Sequence, residues 1–309
     1  MNSDLDGNEL VDAQRIIDGG ERKRALRLLS GHLRRGELVL LLGAGVSDGL
    51  DLPNWRTLVE RCEVAVGIDI SDRDPMHRID DVQGKFQRVH GSGNGDFLGF
   101  VREHLYPEQY RSERSYPRSI LQKEMLIALG ALVMSSVRGS VTDVLTLNFD
   151  DVLDWYLRLH GFRTQVVTDL PRMLRGDVDV HIHHIHGFLP LTAAWEPSDW
   201  LLLSYDQLIE RLSQEAGAAW PTLIGSLFQS KVILAVGTSM SDIDVHTMLR
   251  RAQRKEAKDV GRGFVIDRQM SEEDRSKCLR FGLTPVSVET YEEIPRFLLG
   301  ICQEAAHVR

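Results

Sequence analysis

Residues 37–47, ELVLLLGAGVS, set the first limit on the fold. Glu37–Leu42 is a short apolar run that does not alternate, and Gly43 stops it at once. A strand that is apolar at successive positions is buried on both faces, which places it inside a sheet covered by helices on either side. The glycines of Gly43-Ala44-Gly45-Val46-Ser47 give a tight turn. They let backbone N–H groups approach a phosphate, with a helix N-terminus behind them. No Lys-Ser/Thr pair follows, so the junction is not a P-loop, and it is not a full GxGxxG either. Two readings stand: a dinucleotide loop and a plain strand-to-helix turn.

The rest of the chain repeats this pattern. Asp143–Leu147, Gln165–Thr168, His181–Ile185, Val232–Val236, Gly263–Ile266 and Pro285–Glu289 are short and hold β-branched residues. Helical spacing falls between them at Asp151–Leu159, Tyr205–Leu212, Thr222–Phe228, Asp244–Glu256, Ser271–Phe281 and Tyr291–Ala306. Strands alternating with helices predict βαβ units and a mostly parallel sheet, an α/β fold. Residues 1–36 read as a separate helical segment, Glu9–Ile17 and Glu21–Leu33, separated by Gly19-Gly20. Residues 37–309 read as the main domain, broken by a helical insertion at about 54–140. Its helices are expected at Trp55–Val66, Asp80–Val89, Asp96–His104 and Ile120–Val137. An insertion there sits at the carboxyl ends of the strands, where open α/β sheets bind ligands.

Composition excludes several functions. Lys and Arg total 37 against 45 Asp and Glu, a net charge of −8, so the broad basic field of direct nucleic-acid binding is missing. Cys62, Cys278 and Cys302 are far apart and form no CxxC pair, which argues against a disulfide framework and a four-cysteine zinc site. A reducing cytoplasm is the expected compartment. The N-terminus is polar and acidic, unlike a secretory signal, and the apolar runs are too short to span a bilayer, so no membrane association is expected.

Four further places carry chemistry. Thr146-Leu147-Asn148-Phe149-Asp150 ends an apolar strand and points Asn148 and Asp150 to one side. Asn148 suits an amide, a ribose hydroxyl or a water, and Asp150 suits either a ligand or the cap of the next helix. Four histidines crowd residues 181–186, but strand geometry turns His181 and His183 one way and His184 and His186 the other. No metal is expected: the first three read as strand histidines with satisfied nitrogens. His186, before Gly187 at the strand's end, can serve as a general base. Gly237-Thr238-Ser239 closes another buried strand and offers hydroxyls to phosphate or ribose, with Asp242 behind it as a helix cap. Asp267 follows the strand Gly263–Ile266, where an acid can hydrogen-bond a ribose hydroxyl.

Together and in this order, from about Glu37 to Ala306, these motifs resemble the sirtuin family. Gly43–Ser47 with Leu52-Pro53-Asn54-Trp55 resembles its first NAD-binding motif and the loop after it. Thr146–Asp150 resembles its T-x-N-x-D motif, His186-Gly187 its His-Gly pair, and Gly237-Thr238-Ser239 its G-x-S motif. The resemblance implies a Rossmann-like parallel sheet, NAD+ as a consumed substrate, and cleavage of the nicotinamide–ribose bond. It implies catalytic roles for Asn148 and His186. Asp150 would support the nicotinamide pocket, and Gly43, Ala44, Gly45 and Ser47 would line the pyrophosphate. Asn54 and Trp55, in the loop after the first motif, would also bind the cofactor. Gly237, Thr238, Ser239 and Asp267 would hold the phosphate and adenosine ribose.

One departure bears on the activity. Deacylases of the family carry a zinc module with two CxxC pairs between the His-Gly and G-x-S motifs, whereas Phe188–Lys231 has no cysteine. The pattern is closer to bacterial sirtuin-like NAD hydrolases of anti-phage defence, with the insertion in place of the zinc module. That predicts an NAD+ glycohydrolase that depletes NAD+ in abortive infection, without zinc. A non-catalytic NAD or ADP-ribose sensor, and a protein deacylase or ADP-ribosyltransferase, are the alternatives. A free NADase is toxic, and the sequence ends just after the last expected helix. Control is therefore expected from a homo-oligomer or a separate partner, of which a HerA-like ATPase is the kind the resemblance implies. The helices Glu21–Arg35 and Tyr291–Ala306 suit either an interface or the solvated side of a packed helix.

Overall fold

The computed structural model describes residues 6–91, 94–170, 173–213, 219–238 and 263–307. Among them, seven strands form one sheet: β1 (Leu38–Leu42), β2 (Asp143–Thr146), β3 (Thr164–Val167), β4 (Val180–His184), β5 (Val232–Val236), β6 (Gly263–Arg268) and β7 (Leu283–Val288). Their order is β3-β4-β2-β1-β5-β6-β7, and every neighbouring pair is parallel. This is a Rossmann-like α/β sheet. β1 lies at its centre, Leu42 level with Thr146 of β2 on one side and Val236 of β5 on the other. From β1 the chain builds one half of the sheet, then returns to β5 and builds the other. The order therefore reverses between β1 and β5, and ligands of open α/β sheets bind at that point, beyond the carboxyl ends of the strands.

The all-apolar β1 is buried on both sides. Leu38, Leu40 and Leu42 join one core, and Val39 and Leu41 join the other. Each such side chain contributes about 1.5–3 kcal/mol relative to exposure. The larger core lies under α1 (Asp6–Arg34), the helical insertion, α7 (Val152–Leu159) and α11 (Glu293–His307). The other lies under α9 (Ala219–Ser230) and α10 (Glu272–Arg280), through Trp220, Ile224, Phe228 and Cys278. α8 (Tyr205–Ser213) follows the segment after β4.

The insertion holds α2 (Trp55–Val66), α3 (Pro75–His90), α4 (Asn94–Leu105), α5 (Glu108–Glu113) and α6 (Glu124–Val133). α2 and α3 are joined by a bidentate ion pair between the fully buried Arg78 and Glu63. Such a pair fixes register, because breaking it leaves an uncompensated buried charge.

Three sequence expectations are corrected. Gly19-Gly20 does not separate a pair of helices; both glycines lie inside the continuous α1. The helix expected at Ile120–Val137 is shorter. A 3-10 turn, Arg118–Gln122, precedes it, and α6 ends at Val133 because Gly139 must reach the end of α1. A Cβ on Gly139 would stand 1.9 Å from the Leu33 carbonyl oxygen, so only glycine fits that approach. β6 runs two residues further than expected, so Asp267 is within the strand rather than after it. α5 was not expected. The helix Asp244–Glu256, Ser239 and Asp242 lie outside the described residues. α1 and α11 pack on one another, with Arg22 paired to Glu293 at 2.7 Å. Among the described residues, no helix is long and apolar enough to cross a membrane.

Candidate functional site

The turns after β1 and β5 interlock. The Gly43 N–H donates to the Val236 carbonyl (3.1 Å) and the Gly45 N–H to the Gly237 carbonyl (2.9 Å). A Cβ on Gly43 would stand 2.6 Å from the Gly237 oxygen, and one on Gly45 2.8 Å from the Gly237 Cα. Gly237 itself has φ +67°, and a Cβ there would lie 2.7 Å from the Val46 nitrogen. The three glycines thus let two loops touch backbone to backbone at the point where the sheet order reverses. The amides of Gly43, Gly45 and Val46 make internal hydrogen bonds, Val46 to the Gly43 carbonyl. Ala44–Ser47 forms a 3-10 turn, not the first turn of an α-helix. Thr238 is buried against Gly43.

Ser47 connects this turn to the end of β2. Its hydroxyl accepts from Asn148 Nδ2 (3.3 Å) and donates to Asp150 Oδ2 (3.4 Å). Asn148 is set in turn by its backbone, whose N–H donates to Thr146 Oγ1 (3.1 Å). Of the two roles open to it in the sequence, Asp150 takes the helix cap. Its Oδ1 accepts from the Val152 N–H (3.1 Å) at the start of α7, while Oδ2 faces Ser47. Burial raises its pKa to about 6, reinforced by the neighbouring carboxylates of Asp151 and Asp154 and opposed by the Val152 amide and His184.

His186 and Gly187 follow β4 in the turn beyond it. Gly187, at φ +97°, turns the chain back so that it pairs with Leu201, and a Cβ there would stand 2.5 Å from the Trp200 oxygen. His186 is buried, and its carbonyl accepts from the Leu202 N–H (2.8 Å). The next residues reach the Asn148 loop, where the Leu189 N–H donates to the Phe149 carbonyl (2.8 Å). On the other side of that loop, Trp55 meets the Phe149 ring edge-on at 6.1 Å. Asn54 caps α2, its Oδ1 accepting from the Thr57 N–H (3.0 Å). Asp267 stands one position beyond the pairing of β6 with β5. Its Oδ1 accepts from the Arg268 N–H (2.7 Å), and partial burial raises its pKa.

Two more groups stand at the site: Asp151, which escaped the sequence reading, and His184, read there as a strand histidine with satisfied nitrogens. Asp151 is fully buried and receives Tyr116 Oη (2.7 Å), the Leu191 N–H (2.8 Å), and the Thr192 N–H (3.1 Å) and hydroxyl (2.8 Å). Tyr106, whose hydroxyl donates to the Leu189 carbonyl (2.6 Å), packs beside it. One carboxylate thereby joins the insertion, α7 and the chain after His186. His184 is the second. Its Nδ1 donates to the Asn148 carbonyl (3.1 Å), and its Nε2 faces Asp154 Oδ2 (3.1 Å). Both ring nitrogens face acceptors, and the Asp154 carboxylate raises the pKa of the imidazole against the cost of burial. His183 departs from the expectation of satisfied nitrogens. Neither of its ring nitrogens has a hydrogen-bond partner, though Asp143 lies 3.6 Å away, and burial lowers its pKa.

Residues 142–284 match a SIR2-like domain. The match runs from the residue before β2 into β7, so it takes in Asn148, Asp150, His186, Gly237 and Thr238 but not β1 and its turn. It supports a sirtuin-like reading of this stretch of the chain and an NAD-related function. Among solved structures, the chain is similar to one described as "Structural Basis for the Mechanism and Regulation of Sir2 Enzymes", with 13% identity and a TM-score of 0.46 over 91% of this chain and 97% of that one. No curated protein matches. Among the described residues, no three His, Cys, Asp or Glu side chains converge as a metal site would require.

Proposed function

We propose that the chain is an NAD+ glycohydrolase that releases nicotinamide and leaves ADP-ribose. The observation that carries this reading is the link from Ser47 to Asn148 and Asp150, which gathers two motifs of the SIR2-like pattern where the sheet order reverses. In the reaction, the ribose C1′–nitrogen bond breaks and its electron pair leaves with nicotinamide. A water oxygen then bonds to C1′ and gives up a proton. The developing positive ribose needs a nearby negative charge and one oriented water more than it needs a strong base.

In this proposal Asn148 orients the water or the ribose, and His186 contacts the ribose and receives the proton. Asp150, ionised above about pH 6, supplies the charge. Ala44 and Ser47 lie along the pyrophosphate with Gly43 and Gly45 shaping the turn. Gly237, Thr238, Ser239 and Asp267 hold the adenosine side, and Asn54 and Trp55 border the nicotinamide side. The absence of cysteine from Phe188–Lys231 disfavours a zinc-bearing deacylase. The cellular role proposed with it is NAD+ depletion during phage infection, held in check by self-association or a HerA-like ATPase.

The test is nicotinamide release, followed by chromatography, with Asn148→Ala and His186→Ala beside the parent protein. Each variant is expected to melt like the parent and to lose about 100-fold or more in kcat, the loss typical of removing one oriented polar group from a reaction centre. Full turnover by Asn148→Ala would overturn the mechanism.

A further inference from the structure

We propose a second ligand site, for a nucleoside diphosphate or a similar organic polyphosphate, in the cleft where α3, α4 and α5 converge. The cleft has a volume of about 600 Å³, within the usual range of small-molecule sites. Three helices bring basic side chains into it: the imidazole of His90 from the end of α3, and the guanidinium groups of Arg102 from α4 and Arg111 from α5, with Arg114 just after it. Glu103 is the acidic residue of the lining. Arg111 and Arg114 are exposed and make no ion pair among the described residues. In a protein of net charge −8, such a local excess of guanidinium is a concentrated attraction for phosphate, which arginine binds in bidentate fashion.

The cleft also offers one flat ring face, the exposed imidazole of His90, backed by the buried Phe86. Phe86 stacks on the exposed His90 at 4.6 Å and lies 4.9 Å from Phe100. Rings at the edge of a cationic cleft suit a planar base attached to the phosphates. There is room for it, because a Cβ on Gly99 would meet nothing within 4 Å. The site is distinct from the one at β1 and β5 but not isolated from it. Arg102 donates to the Leu191 carbonyl (3.2 Å), and the Leu191 N–H donates to Asp151, the neighbour of Asp150.

Hydrogen exchange of the full chain with ADP reads this site without reference to catalysis. At about ten times its Kd, ADP is expected to slow exchange about tenfold in residues 97–116 and at Leu191. Arg111→Glu/Arg114→Glu is expected to abolish that protection through charge. Gly99→Trp is expected to abolish it by filling the cleft with the charges intact. Neither change is expected to alter protection at residues 43–47. Protection by ADP confined to residues 43–47 and 146–150, or retained in both variants, would overturn the proposal. Equal protection of residues 97–116 by inorganic pyrophosphate would overturn its nucleotide specificity. Loss of NAD+ cleavage in other experiments would leave this readout unchanged.

Discussion

Asp150 is a carboxylate that the fold holds at a cost. The unfolded chain loses its proton near pH 3.8, while the folded protein keeps it to about pH 6. Between those values the native state binds the extra proton, so stability falls as the pH rises through the window. The gap is worth about 3 kcal/mol. Asp150→Asn keeps an oxygen for the Val152 amide and removes the titration. Its stability, from urea unfolding at pH 4 to 7, is expected to gain on the parent's by up to about 3 kcal/mol across that range. Parallel curves for the two proteins would refute the assignment. A destabilising carboxylate just beyond β2 supports the role proposed for Asp150 in the reaction. Its neighbour Asp151 is the contrasting case, wrapped in donors from Tyr116, Leu191 and Thr192. Asp150 was legible in the sequence from its place in Asn148-Phe149-Asp150. Asp151 was not, because its partners lie 35 to 41 residues away and no local spacing records them.

At the scale of elements, the interlocked turns after β1 and β5 give a direct test. Gly237→Ala places a Cβ 2.7 Å from the Val46 nitrogen in a left-handed backbone. Gly36→Ala is the control: its φ is +66°, nearly the same, but a Cβ there meets nothing within 4 Å. The control is expected to lose about 1–2 kcal/mol, the strain of a left-handed alanine, and Gly237→Ala clearly more, with nicotinamide release falling alongside. Equal losses in the two melting curves would mean that the loops do not depend on contact. The strands were largely legible for a related reason. Short apolar runs ended by glycine permit little besides buried parallel strands, and β5 falls at Val232–Val236 as the pattern predicts. Helix ends were less legible. α1 runs through Gly19-Gly20 although glycine disfavours helix, and α6 stops where Gly139 must meet Leu33, a tertiary demand without a local mark.

For the whole molecule, the position of β1 separates the matched domain from the folding unit. Residues 142–284 match the SIR2-like domain and carry Asn148, Asp150, His186, Gly237 and Thr238 of the proposed site. In the sheet, however, β2 and β5 never touch; β1 stands between them and pairs with both. A fragment of residues 142–284 would have β4 and β2 on one side of a gap and β5 and β6 on the other. Each half would expose edge strands and the apolar faces that Leu38, Leu40 and Leu42 cover. The fragment would also lack Ser47, which links Asn148 to Asp150. It is therefore expected to show no cooperative thermal transition by circular dichroism and no nicotinamide release. The full chain is expected to melt in one step, because β1 belongs to both halves of the sheet and to both cores. A cooperative transition in the fragment would mean that the two halves can close on each other directly. The reversal of strand order at β1 would then be dispensable for folding.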